Sequence, residues 1–169
     1  MKLILATSNK GKLKEVREIL PEYDIVTMSE AGIHDEIEEN GTTFEENAYI
    51  KAKYVCDRLG EVTIADDSGL EVDFLDGAPG IYSARFAGEG ATDKDRNAKL
   101  LSTLEGVPFD KRTARYVCSI AIVYPSGEKH IFTKTCEGYI LEKEIGDGGF
   151  GYDPLFYFPE FKTTLANVP

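Results

Sequence analysis

The chain is poor in the groups from which several common kinds of site are built. It holds three cysteines in 169 residues, Cys56, Cys118 and Cys136. An odd number, widely spaced and each in an apolar or strand-like setting, excludes a disulfide framework and a cysteine zinc site. Such cysteines read as reduced core residues of a cytoplasmic protein. The two histidines, His34 and His130, are too far apart to form a motif, and each reads as a surface or interface side chain. Basic residues are outnumbered, 19 Lys and Arg against 30 Asp and Glu, for a net charge of -11. Nucleic acid and anionic membrane both demand a basic surface, so neither is expected as a partner. No apolar run approaches the ~20 residues of a membrane span. No charged start leads into an apolar h-region, so neither an anchor nor a secretion signal is expected. Repeats, linkers and low-complexity segments are also lacking. A composition of 42% hydrophobic and 11% aromatic residues suits a single domain over residues 1–169 with a real core.

Carboxylates, by contrast, are placed with purpose. Ile64-Ala65-Asp66-Asp67-Ser68-Gly69-Leu70 carries two adjacent acids out of an apolar strand, Val62 to Ala65, and onto a turn signalled by Ser68-Gly69. Carboxylates held together at a strand end repel each other unless a cation or proton sits between them. Taken alone, the same four residues also make an ordinary turn whose Asp side chains bond local backbone N–H groups.

Three further segments look like pieces of a polyphosphate site. Lys2 to Thr7 is an apolar strand, followed by Ser8-Asn9-Lys10-Gly11-Lys12 and by Leu13, Val16, Ile19 and Leu20 at helical spacing, with Pro21 as the stop. Strand, polar loop and helix start bring backbone donors and two ammonium groups to where an anion can sit, although the P-loop pattern is absent. Ile37-Glu38-Glu39-Asn40-Gly41 is an acidic loop that runs into a helix. Thr42 with Glu45, or Thr43 with Glu46, has the spacing of a capping box, and Phe44, Ala48, Ala52 and Val55 continue towards Gly60. Asn47 and Lys51 share one face of that helix, so acid in the loop and base on the helix suit a cation and a phosphate held together. Gly146-Asp147-Gly148-Gly149-Phe150-Gly151-Tyr152-Asp153-Pro154 satisfies Gly-x-Gly-x-x-Gly, but Asp153-Pro154 forbids the helix that a dinucleotide site needs. It reads as a flexible glycine loop presenting Phe150 and Tyr152 to a ligand.

The remaining elements frame these segments. Glu71 to Phe74 continues as strand, Asp76 to Gly80 turns, and Thr92 to Leu104 forms a helix capped by Thr92 with Asp95. Asp93 to Asn97 imitates a calcium loop but fails at Ala98 and Leu104, where Gly and Glu are required. Arg112 to Tyr124 is a strand alternating at Tyr116, Cys118, Ile120 and Ile122, joined through Pro125-Ser126-Gly127 to a strand from His130 to Cys136. Leu155 to Phe158 reads as a further strand. Helices alternating with strands early and strands pairing late predict an α/β fold, a mixed sheet flanked by helices.

The chain resembles the inosine-triphosphate pyrophosphatase family, whose members hydrolyse non-standard purine nucleoside triphosphates such as ITP, dITP and XTP to the monophosphate and pyrophosphate. Five blocks match in order: Thr7 to Glu15, Gly41 to Ala48, Ala65 to Leu70, Gly77 to Arg85 and Gly148 to Pro154. The resemblance implies an elongated two-lobed fold with a mixed central sheet, a site in the cleft between the lobes, and a homodimer. It implies Mg²⁺ on Glu38 and Asp67, with Glu39 the reserve ligand because the acidic run aligns to within one residue, and Asp67 as general base. A lone carboxylate is a weak base near pH 7, so a cation that acidifies the attacking water accounts for the choice better than Asp basicity does. Thr7, Ser8, Asn9, Lys10, Gly11, Lys12, Lys51 and Ser68 would hold the phosphates; Phe150, Gly151, Tyr152 and Asp153 would line the base and sugar. The resemblance departs at the C-terminus, where the family's Ser-His-Arg segment, which helps to read the base, has no counterpart before Pro169. Base selectivity is therefore the property expected to suffer. An aspartyl phosphatase would need Asp-x-Asp after the first strand, where this chain has Thr7-Ser8-Asn9, whereas a non-catalytic nucleotide sensor remains an alternative.

Overall fold

The structure, a computed structural model, describes residues 1–7 and 9–168. It contains seven strands in one mixed sheet, in the order β2-β1-β3-β4-β5-β6-β7. The chain forms two compact units, the first comprising Met1–Asp67 and Cys118–Lys134, the second Ser68–Val117 and Thr135–Pro169.

In the first unit, β1 (Lys2–Leu5) leads into α1 (Lys10–Ile19), which returns the chain to β2 (Asp24–Thr27). β1 pairs in parallel with β2 from Lys2↔Asp24 to Leu5↔Thr27, and with β3 (Thr63–Val72) at Ile4↔Thr63 and Leu5↔Ile64. A strand flanked on both sides is apolar on both faces. Accordingly Leu3 and Leu5 pack with Ile25 against Leu13 and Val16 of α1 and Leu20 just past its end, while Ile4 and Ala6 turn to the opposite face. There they meet Ala48, Ala52, Val55 and Cys56 of α2 (Phe44–Leu59). Removing each such Val, Leu or Ile side chain from water contributes about 1.5–3 kcal/mol, which is what fixes the strand under the helix. α2 starts where Thr43 Oγ1 accepts the Glu46 N–H and Glu46 Oε2 accepts the Thr42 N–H, 3.1 and 2.8 Å, and ends at Gly60 in the left-handed region, φ 65°.

The second unit is built on α3 (Asp93–Thr103), whose start is the Thr92–Asp95 capping box. Leu100 and Leu104 are buried against Leu70, Val72, Ala114, Ile140, Leu155 and Phe156. The guanidinium of Arg112, 2% exposed, donates to the carbonyls of Val107, Leu104 and Leu141. It thereby satisfies the carbonyl at the C-terminal end of α3, where a positive charge is favoured. β4 (Thr113–Val123) and β5 (Lys129–Ile140) are the two longest strands. β5 pairs antiparallel with β6 (Phe156–Phe158), and β6 with β7 (Thr163–Thr164).

Two expectations change. Ser68-Gly69 makes no turn: β3 runs unbroken for ten residues through the whole acidic block. A strand alternates its side chains, so Asp66 and Asp67 point to opposite faces of it. In β4 the more buried face is Val117, Ser119, Ala121 and Val123, not the one through Cys118, Ile120 and Ile122. Both faces of that strand carry apolar residues, so alternation of hydrophobicity cannot fix its phase. β2, too short and mixed to stand out, and β7 are added by the structure. Among the described residues no helix is long and apolar enough to cross a membrane.

Candidate active site

Asp67 is the centre of the first unit's polar cluster. It is 8% exposed, and its Oδ2 is buried without a hydrogen-bond partner. Burial, chiefly, pushes its carboxyl up to about 6; the charge of Glu39 adds to this, while Lys51, Lys12 and a hydrogen bond from Asn47 oppose it. An acid with that environment is poised to exchange a proton near neutral pH or to accept a cation.

The neighbours are delivered by two helix starts. Asn9 caps α1: its Oδ1 accepts from the N–H groups of Gly11 and Lys12, 2.9 and 3.2 Å, while its own N–H donates to Thr7 Oγ1, 3.1 Å. Two of the first-turn donors expected to face an anion are therefore already held by Asn9. Lys12, one turn in, reaches Asp66 on β3 at 2.7 Å, whereas Lys10 is exposed. On α2, Lys51 pairs with Glu39 at 2.8 Å, and both side chains are largely covered, 15% and 33% exposed. Asn47, one turn earlier, is buried; its Oδ1 accepts the N–H of Gly41 at 2.9 Å, and its side chain lies close enough to the Asp67 carboxyl to hold its pKa down. A methyl group on Gly41 would come within 2.7 Å of both Asn47 Oδ1 and Glu46 Cβ, so glycine is what lets the acidic loop lie against α2.

The expected site residues thus separate. Asp67, Lys51 and Lys12 come together. Glu39, the reserve ligand, is the acid of the loop whose charge acts on Asp67, while Glu38 is exposed. Ser68 is half-buried on the strand face opposite Asp67. Ser8 lies outside the described residues. Asn47 was not singled out as a site residue; its signal was its position four residues before Lys51. Cys118 also lies close enough for Asp66, Lys12 and Asp67 to act on it, and burial pushes its thiol up, leaving it a poor nucleophile.

In the second unit, the glycine loop is held at several points. Asp153 accepts the Phe150 N–H on Oδ2, 3.0 Å, and the Tyr116 hydroxyl on Oδ1, 3.1 Å. Tyr152 was expected to offer a ligand its ring. Instead it is 5% exposed within the core, and its hydroxyl donates to Ser83 O at 2.7 Å. An aromatic next to flexible glycines had no sequence mark telling core from surface. Phe150, 41% exposed, is the ring the loop displays.

The Ham1 family model matches residues 3–169. The chain belongs to the Ham1 family. It is 56% identical to a dITP/XTP pyrophosphatase of Desulforamulus reducens, over 99% of this chain and 85% of the relative. It is 52% identical to a dITP/XTP pyrophosphatase of Listeria monocytogenes, over 99% and 84%. Among solved structures, the Staphylococcus aureus Ham1 protein superposes with a TM-score of 0.90 at 41% identity, covering all of this chain and 87% of the other. A HAM1 protein from Coxiella burnetii gives 0.91 at 38%, with the same coverage. The mixed seven-stranded sheet and its flanking helices are thus the architecture of this Ham1 family member.

Proposed function

We propose that this protein hydrolyses non-standard purine nucleoside triphosphates, dITP, XTP and ITP, to the monophosphate and pyrophosphate. The activity for which the relatives are named, dITP/XTP pyrophosphatase, supports the substrate class. The single observation that carries the chemistry is Asp67, a buried carboxylate with one oxygen unpartnered and two lysines within range of its charge.

Cleavage of the α–β anhydride needs an oriented water, neutralised phosphate charge and a stabilised pyrophosphate leaving group. A water oxygen joins phosphorus as the bridging bond breaks, and the water's proton must go to a base. Asp67 takes that proton, which its raised pKa makes easier than for an ordinary carboxylate. Lys12 and Lys51 exchange their carboxylate partners for phosphate oxygens, and Thr7, Ser8, Asn9, Lys10, Gly11 and Ser68 complete the phosphate contacts. Phe150, Gly151, Tyr152 and Asp153 belong to the base and sugar side, Phe150 by contact and the other three by shaping the loop.

An unpartnered Asp67 Oδ2, on a carboxyl that also lies within range of the charge of Glu39, fits a hard divalent cation. Among the described residues, no three His, Cys, Asp or Glu side chains gather around one point. One or two carboxylates, completed by waters and substrate phosphates, are what Mg²⁺ commonly takes. Asp67 with Glu38 or Glu39 would hold it, and when bound it supplies charge neutralisation and a more acidic water. A cytoplasmic homodimer completes the reading, on the reduced cysteines and the family resemblance. The test is product analysis with dITP, XTP, ITP and ATP in the presence of Mg²⁺: stoichiometric pyrophosphate from the first three supports the reading, orthophosphate indicates a phosphatase, and no product indicates a sensor.

A further inference from the structure

The Gly151 peptide is gripped at both ends by one face of α3. Its N–H donates to Asp93 Oδ2 at 3.1 Å, and its carbonyl accepts from Asn97 Nδ2 at 3.2 Å. Asp93 and Asn97 are four residues apart and so project from the same side of the helix. Asn97 is 2% exposed, and the same Nδ2 also donates to Glu144 Oε1 at 3.0 Å, at the other end of the loop. Both of its partners are acceptors, which fixes the amide's orientation and leaves Oδ1 buried without a partner. A buried acceptor is left unsatisfied so that the donor can serve the loop. Asp93 is itself oriented by Arg96, which also donates to the carbonyls of Ala84 and Ala91. Gly151 sits at φ 62° with open space where a side chain would project, so local sterics do not hold this peptide in place. The contacts from α3 do, and the next residue back is Phe150, the displayed ring.

We propose that Asp93 and Asn97 are positioning residues that fix the Gly151 peptide, and through it the Phe150 ring, and so set affinity for the nucleoside part of the substrate. This rests on the reading that the loop meets base and sugar. Preorganising a contact group lowers the ordering cost of binding, and its loss shows mainly in substrate affinity. The charged side chain of Asp93 is exposed, so Asp93→Ala leaves the α3 core contacts intact, and Asp93→Asn retains an acceptor for the Gly151 N–H.

The experiment combines amide hydrogen exchange of residues 146–156 with steady-state kinetics on dITP and inhibition by inorganic tripolyphosphate, in the full chain. In Asp93→Ala and Asn97→Ala we expect faster exchange across the loop and a KM for dITP raised about tenfold, with kcat and the tripolyphosphate inhibition constant within about threefold of the parent. Asp93→Asn should restore most of the affinity. Unchanged exchange in Asp93→Ala overturns the clamp. Faster exchange with an unchanged KM, while Phe150→Ala does raise KM, overturns the positioning role alone. If Phe150→Ala also leaves KM unchanged, the reading of the loop as the nucleoside side fails, and the proposal with it.

Discussion

Two clusters of charge, one in each unit, use similar groups to opposite ends. In the second unit, Arg115 is bonded by Asp73 at 3.0 Å and Glu137 at 3.0 Å, with Glu71 at 3.7 Å. Asp73 also accepts from Thr113 at 2.7 Å. Every partner is satisfied: the Thr113 hydroxyl and Arg115 hold the Asp73 carboxyl below its usual range, and Asp73 and Glu137 raise the guanidinium in return. Around Asp67 the lysines are spent elsewhere, Lys12 on Asp66 and Lys51 on Glu39. The buried acid keeps an unpartnered oxygen and a raised pKa. A cluster that serves the fold closes its own circuit, whereas the one around Asp67 is left open in a way that only a ligand or a proton completes.

The strongest way to break this contrast is to remove the open charge. Asp67 titrates in the fold at about 6, above its ordinary 3.8. The neutral acid therefore favours folding below about pH 4, and that advantage is lost as pH rises through about 6, where the folded protein must carry the charge. Asp67→Asn stays neutral throughout. It should match the parent in stability near pH 4 and exceed it by about 2–3 kcal/mol at pH 8 without divalent cations. Denaturant unfolding at the two pH values measures this directly. A destabilised variant at pH 8 would mean that the carboxylate is satisfied and serves the fold.

Lys51→Ala sharpens the comparison from the cation's side. It should raise KM for dITP about tenfold, near 1.4 kcal/mol, because a phosphate loses its partner, while the affinity for inosine changes little. Equal losses for nucleotide and nucleoside would make Lys51 a structural residue. The smallest effect belongs to the closed cluster: Arg115→Ala should cost under about 1 kcal/mol of stability, since its pairs are partly exposed, and should leave turnover and KM unchanged.

Legibility in the sequence followed the same division between local and distant causes. Helix limits were readable because capping is local: Thr43, Thr92 and Gly60 each mark an end that the structure keeps. The meeting of Lys51 with Glu39, and of Asn47 with Asp67, was only half visible. Helical spacing puts Asn47 and Lys51 on one face, but what that face meets depends on where β3 passes. The straight run of β3 through Asp66-Asp67-Ser68-Gly69 was hidden by turn-forming residues whose local preference is overruled by strand pairing. The burial of Tyr152 and the grip of α3 on Gly151 join residues more than fifty positions apart, and nothing near either end announces them.

Whether Asp67 is left unsatisfied for chemistry shows in the rate of pyrophosphate release from dITP at saturating Mg²⁺ in folded Asp67→Asn. Asparagine keeps the shape and removes both the basic oxygen and the charge. We expect a loss in kcat of at least about a thousandfold, near 4 kcal/mol of barrier, in a protein no less stable than its parent. Turnover within about threefold of the parent, under ~0.7 kcal/mol, would contradict it and remove Asp67 from the reaction.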